Sequence, residues 1–122
     1  VRDSRMTSAV TIYHNPRCSK SRQALQLIES KGIAPNVILY LKDPPSVREI
    51  EQTLDVLGLE PRQLMRTKEK VYKEKQLDDP GLSRQDLIKA MHEHPILIER
   101  PILIHDDKAV IGRPPEKILD IL

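Results

Sequence analysis

The chain has no tryptophan and no phenylalanine, and its aromatic content is three tyrosines in 122 residues. Proteins that stack nucleic-acid bases need aromatic platforms, so this scarcity argues against that function. An excess of one charge is missing too: 20 Lys and Arg against 18 Asp and Glu leave a net charge of +2, well short of a bulk nucleic-acid binder. No apolar run reaches bilayer-spanning length, and no signal-peptide pattern is present. A single cysteine excludes an internal disulfide. His14, His92, His94 and His105 are scattered and supply no clustered zinc ligands, and four glycines form no phosphate-cradling or dinucleotide-binding pattern. The expectation is a cytoplasmic monomer with no bound metal or cofactor and no membrane or nucleic-acid partner, its core built from Ile, Leu and Val.

What is present centres on Tyr13-His14-Asn15-Pro16-Arg17-Cys18-Ser19-Lys20-Ser21-Arg22, which holds the cysteine between a strand-like and a helix-like run. Pro16 lacks an N–H and disfavours helix at Asn15, so the chain leaves the strand in an extended loop and a helix starts near Cys18. A sulfur there faces N–H groups without intrahelical partners and the positive end of the helix dipole, both of which favour thiolate. His14, Arg17, Lys20 and Arg22 surround it in sequence, and nearby cations lower a thiol pKa further. The N–H groups around Ser19, Lys20 and Ser21 can also hold an oxyanion where the sulfur attacks.

The rest of the chain alternates in period. Ala9 to Tyr13 reads as a central strand, Ser21 to Lys31 as a helix stopped by Gly32, and Asn36 to Leu41 as an apolar strand covered on both faces. This is a βαβ unit, whose first two strands are expected to be parallel. Ser46 with Glu49, and Ser83 with Asp86, have capping-box spacing and open two helices; Pro61 opens a shorter one. Thr67 to Asp79 is of mixed charge and reads as a solvated surface segment. Ile102 to Ile104 and Ala109 to Ile111 form a hairpin around Asp106-Asp107-Lys108, and a last helix runs from Glu116. The fold class is α/β: a mixed sheet of about four strands in the thioredoxin-like arrangement, with a helical insertion over about 46–94. Residues 1–9 read as a disordered leader and 10–122 as one domain.

Two further features bear on chemistry. A Cys-x-x-Cys redox motif would put its second cysteine at position 21, where the chain has Ser21, so an oxidised or substituted Cys18 must be cleared by an outside thiol. A cysteine phosphatase loop would need arginine at position 24, which is Ala24. Arg66, Arg100 and Arg113 each fall at a break in structure, flanked by proline or glycine in two cases, and arginine binds tetrahedral oxyanions through paired N–H bonds.

His14-Asn15-Pro16-Arg17-Cys18, the Ile38-Leu39-Tyr40-Leu41 run with Asp43-Pro44-Pro45-Ser46, His94 through Ile102, and Arg113-Pro114 together resemble the glutaredoxin-coupled arsenate reductase (ArsC) family, over about Thr11 to Leu122. The resemblance implies an arsenate-reductase-like domain with catalytic Cys18, His14 helping to keep its thiolate, and an oxyanion site of Arg66, Arg100 and Arg113. It implies a cis Arg100–Pro101 bond and reduction of arsenate to arsenite, with glutathione as co-substrate and a glutaredoxin as partner. The better-known members place Gly-Thr-Ser after the cysteine, whereas this chain has Ser19-Lys20-Ser21, which adds a cation. Two other readings keep parts of this frame: a glutathione-linked thiol oxidoreductase acting on another substrate, and a non-catalytic regulator of the Spx-like type that binds RNA polymerase.

Overall fold

The computed structural model describes residues 10–122; the expected leader and Ala9 at the start of the first strand lie outside the described residues. The chain forms two compact units. One joins the described residues up to Asp43 with Arg100–Leu122, and the other is Pro44–Glu99.

The first unit is a four-stranded mixed sheet. Strand β1 (Val10–Tyr13) pairs in parallel with β2 (Asn36–Ile38) and antiparallel with β3 (Ile102–His105), which pairs antiparallel with β4 (Lys108–Ile111), giving the order β2-β1-β3-β4. Helix α1 (Ser19–Ser30) makes the crossover between β1 and β2. It ends where the sequence says it must: Gly32 takes φ +76, and the N–H groups of Gly32 and Ile33 close back on the carbonyls of Glu29 and Ile28. Its Ala24 and Ile28 meet Val10, Ile12, Leu103 and Ile118 in one fully apolar cluster. Ile118 comes from a 3-10 helix, Pro115–Asp120, that packs on α1.

Two expectations are corrected here. The apolar run Asn36 to Leu41 is not a strand covered on both faces: β2 stops at Ile38, lies at the sheet edge, and leaves Val37 and Leu41 40% and 41% exposed. Beyond it the chain turns, with the N–H groups of Lys42 and Asp43 both donating to Leu39 O. Apolar content alone does not distinguish a central from an edge position. The last helix, expected to run from Glu116, is a short 3-10 helix over Pro115–Asp120, in which Lys117 N–H bonds three residues back to Pro114 O at 3.0 Å.

The second unit is helical, with α2 (Val47–Leu57), α3 (Pro61–Leu64), α4 (Lys70–Glu74), α5 (Arg84–Glu93) and a 3-10 turn at Pro95–Leu97. Both capping boxes form, Ser46 with Glu49 and Ser83 with Asp86. Helix α2 packs on α5, burying Ile50 and Leu54 from one and Leu87, Ile88 and Met91 from the other. The polar tract after Arg66 is more than a solvated segment. It contains α4 and buries Tyr72 and Leu77, and Arg62 donates to the carbonyls of Leu77 and Asp79. Two buried residues in thirteen were too few to show as a periodic face. Among the described residues, no helix is long and apolar enough to cross a membrane.

Candidate active site

Sheet register decides which parts of the chain meet. Tyr13, the last residue of β1, pairs with Ile102, the first of β3, and Ile102 pairs with Ile111, the last of β4. The same end of the sheet therefore carries the loop after β1, the residues before β3 and the residues after β4. These are the Cys18 loop, Arg100-Pro101 and Gly112-Arg113, which are far apart in sequence.

Within the loop, local bonds fix the path of the chain. Asn15 is its knot: its carbonyl accepts from Cys18 N–H at 3.0 Å, its side-chain oxygen accepts from Arg17 N–H at 3.0 Å, and its own N–H donates to Ser21 Oγ at 3.0 Å. Ser21 Oγ also bonds His14 Nδ1 at 2.6 Å, and both residues are buried. Arg22 Nη1–H donates to Pro16 O at 2.8 Å. Cys18 is half-buried at the N-cap of α1, in extended backbone (φ −94, ψ 122).

As a thiol the sulfur closes no side-chain cap on the helix. As a thiolate it is favoured. Burial pushes its pKa up, but the Ser21 N–H, the Arg100 guanidinium, the Lys20 N–H and the Arg100 charge outweigh that and hold it below its ordinary value. The cation that bears on the sulfur thus comes from Arg100, remote in sequence. His14 is not a cation here: burial first, then the Arg22 charge, lower its pKa, against a smaller upward pull from Glu29. With the imidazole neutral, the pattern that uses each group once has Ser21 O–H donating to Nδ1.

The structure places the remaining sequence-derived candidates as follows. Ser19 and the Lys20 side chain are exposed on the first turn of α1. Ser21 presents its N–H towards the sulfur while its hydroxyl is fully engaged inside the loop. Arg113 lies by Arg100, its Nη1–H donating to Arg100 O at 3.3 Å. Arg66 belongs to the helical unit, where Nε meets Glu69 at 3.0 Å and Nη1 meets Glu99 at 3.3 Å. The Arg100–Pro101 bond is cis, and so is Arg113–Pro114, which the sequence reading did not anticipate. Asn15 was missed as well, although an Asn before Pro at a strand end is a turn former whose side chain readily bonds N–H groups two residues on.

An arsenate reductase of Haemophilus influenzae is 54% identical over 115 residues, covering 93% of this chain and 99% of that protein. An arsenate reductase of Escherichia coli is 43% identical over 115 residues, covering 94% of this chain and 82% of that protein. The solved structure of an arsenate reductase from Vibrio cholerae superposes with a TM-score of 0.92 at 54% identity, over 95% of this chain and 99% of the other, so the fold is the thioredoxin-like one expected. The sequence model of the ArsC family matches residues 13–121, nearly the whole of the described chain, and the protein belongs to that family.

Proposed function

We propose that this protein reduces arsenate to arsenite at Cys18, with glutathione and a glutaredoxin as reductants. The observation that carries the reading is the state of the sulfur: the chain's one cysteine, at a helix N-terminus, is pulled towards thiolate by two backbone N–H groups and Arg100. Relatives at 54% and 43% identity that are named arsenate reductases supply the substrate.

In this reading the Cys18 thiolate attacks arsenic, forming an S–As(V) bond and expelling an oxygen as water after protonation. Arg100, Arg113 and the N–H groups of Lys20 and Ser21 hold the remaining oxyanion charge. The resemblance assigns Arg66 to the same anion. Glutathione thiolate then displaces a second oxygen, also as water, so that arsenic carries two sulfurs. A glutaredoxin thiolate attacks the glutathione sulfur; that S–As bond breaks with its electron pair left on arsenic, giving As(III) and a glutaredoxin–glutathione mixed disulfide. Hydrolysis of the Cys18–As(III) bond releases arsenite and restores the thiolate. Ser21 is the reason for the outside thiols, since a serine at that position cannot resolve a mixed disulfide. With glutathione as the proposed reductant, the reading puts the reaction in a reducing compartment, the cytoplasm.

The test is arsenate-dependent NADPH oxidation coupled through glutathione, glutaredoxin and glutathione reductase. Turnover is expected to require arsenate and glutaredoxin and to vanish in Cys18→Ser. Unchanged turnover in that variant would sink the mechanism.

A further inference from the structure

Gly112 and Arg113 follow β4 at the sheet end where the Cys18 loop lies, and both reach back to one dipeptide. Gly112 N–H donates to Pro101 O at 2.8 Å, and Arg113 Nη1–H donates to Arg100 O at 3.3 Å. Behind this pair the packing leaves no slack. Pro101 and Gly112 are buried, and a Cβ at Gly112 would lie 2.9 Å from Pro101 Cγ, closer than real contacts allow, and 3.0 Å from Ile118 Cγ2, a tight contact. Successive carbonyls, of Arg100 and Pro101, are thus each bonded from the strand end, and the proline ring is seated in the space that a side chain at 112 would fill.

The consequence concerns the Arg100 guanidinium. It sits at the end of a long side chain, so where it can reach depends on where its own backbone is fixed. A backbone bonded at both carbonyls and wedged at the proline gives that side chain one base from which to bear on the Cys18 sulfur.

We propose that Gly112 and Arg113 are positioning residues that clamp the Arg100–Pro101 backbone and thereby set the Arg100 guanidinium against Cys18 before any oxyanion binds. The proposal rests on the reading of Cys18 as a thiolate nucleophile and gives Arg113 a task towards the sulfur that it performs through Arg100. Its contact with an anion, if arsenate docks beside it, is a separate one.

The test uses the whole protein and no arsenate. Cys18 is titrated by its thiolate absorbance and by its rate of alkylation at neutral pH, in wild type, Arg113→Ala, Arg100→Ala and the double variant. Arg113 is exposed, so its replacement leaves the core untouched. Arg113→Ala is expected to move the Cys18 titration upward and to slow alkylation by about tenfold, as for the loss of one charge-assisted hydrogen bond. In the Arg100→Ala background the same change is expected to add nothing. Gly112→Ala, which displaces Pro101 sterically, is expected to give the same signature with native-like secondary structure.

An unchanged Cys18 titration in Arg113→Ala overturns the clamp. So does an undiminished effect in the Arg100→Ala background, because Arg113 would then act on the sulfur by its own charge. A wild-type thiol that alkylates no faster than free cysteine overturns the clamp together with the thiolate reading. A fast, Arg100-dependent thiol in a protein that never turns over arsenate overturns only the proposed reaction.

Discussion

At position 21 a dithiol oxidoreductase would carry its second cysteine, and here a serine hydroxyl with 0% exposure joins His14 Nδ1 to Asn15 N–H. The substitution removes one chemistry and adds a structural bond, since the same hydroxyl holds the loop that presents Cys18. The neutral state of His14 is part of that bond and leads to a pH dependence. Burial, then Arg22, hold the folded-state pKa of His14 below its ordinary 6.5. As pH falls past that value the unfolded chain takes up a proton that the folded chain resists, so stability is full above about 6.5 and declines as pH falls through the lower folded pKa. Urea unfolding of wild type and His14→Asn checks this. The asparagine keeps a hydrogen-bonding group near Ser21 without titrating, so the wild-type stability should fall more steeply with acid than that of the variant. Equal slopes would place the titration elsewhere. At this scale the place of Cys18 at the start of α1 was legible, because a cysteine shortly after an Asn-Pro turn is a local signal. The partner of His14 was not, because a sequence spacing of seven says nothing of which side chain faces which.

Helix α1 is where local stability and site chemistry conflict. Its first turn holds no acidic residue, and Lys20 and Arg22 sit where the helix dipole disfavours positive charge. Lys20→Glu is expected to stabilise the protein by about 0.3–1 kcal/mol. It is expected at the same time to slow Cys18 alkylation at neutral pH, because a carboxylate replaces an ammonium at the thiolate end of the helix. Thermal unfolding and alkylation, measured side by side, check the opposed signs; a variant that gains in both would mean that the basic first turn does nothing for the sulfur. The ends of the other helices were legible for a related reason. Capping boxes at Ser46 and Ser83 and the glycine stop at Gly32 act over a few residues, and all three form. The run Asn36 to Leu41 misled because its apolar pattern is the same whether neighbours cover it or not.

For the molecule as a whole, stability depends on one small apolar cluster in the sheet unit and the helix pairing in the other. Leu103 lies in β3, between β1 and β4, with 0% exposure, and Leu103→Ala is expected to cost about 2–5 kcal/mol. That is a large share of the roughly 5–15 kcal/mol of a domain this size, so the denaturation midpoint should drop sharply while the folded fraction still alkylates at the wild-type rate. A variant losing much less would place the weight of the core elsewhere. Composition and periodicity were enough to read an α/β domain around a thiol, because burial patterns, turn residues and caps act through neighbours in the chain. The meeting of Cys18, Arg100 and Gly112-Arg113 was decided only by the pairing of Tyr13 with Ile102 and of Ile102 with Ile111. Strand register is a long-range outcome of sheet assembly and core packing, and it brings the remote Arg100 to the end of the sheet where the sulfur lies.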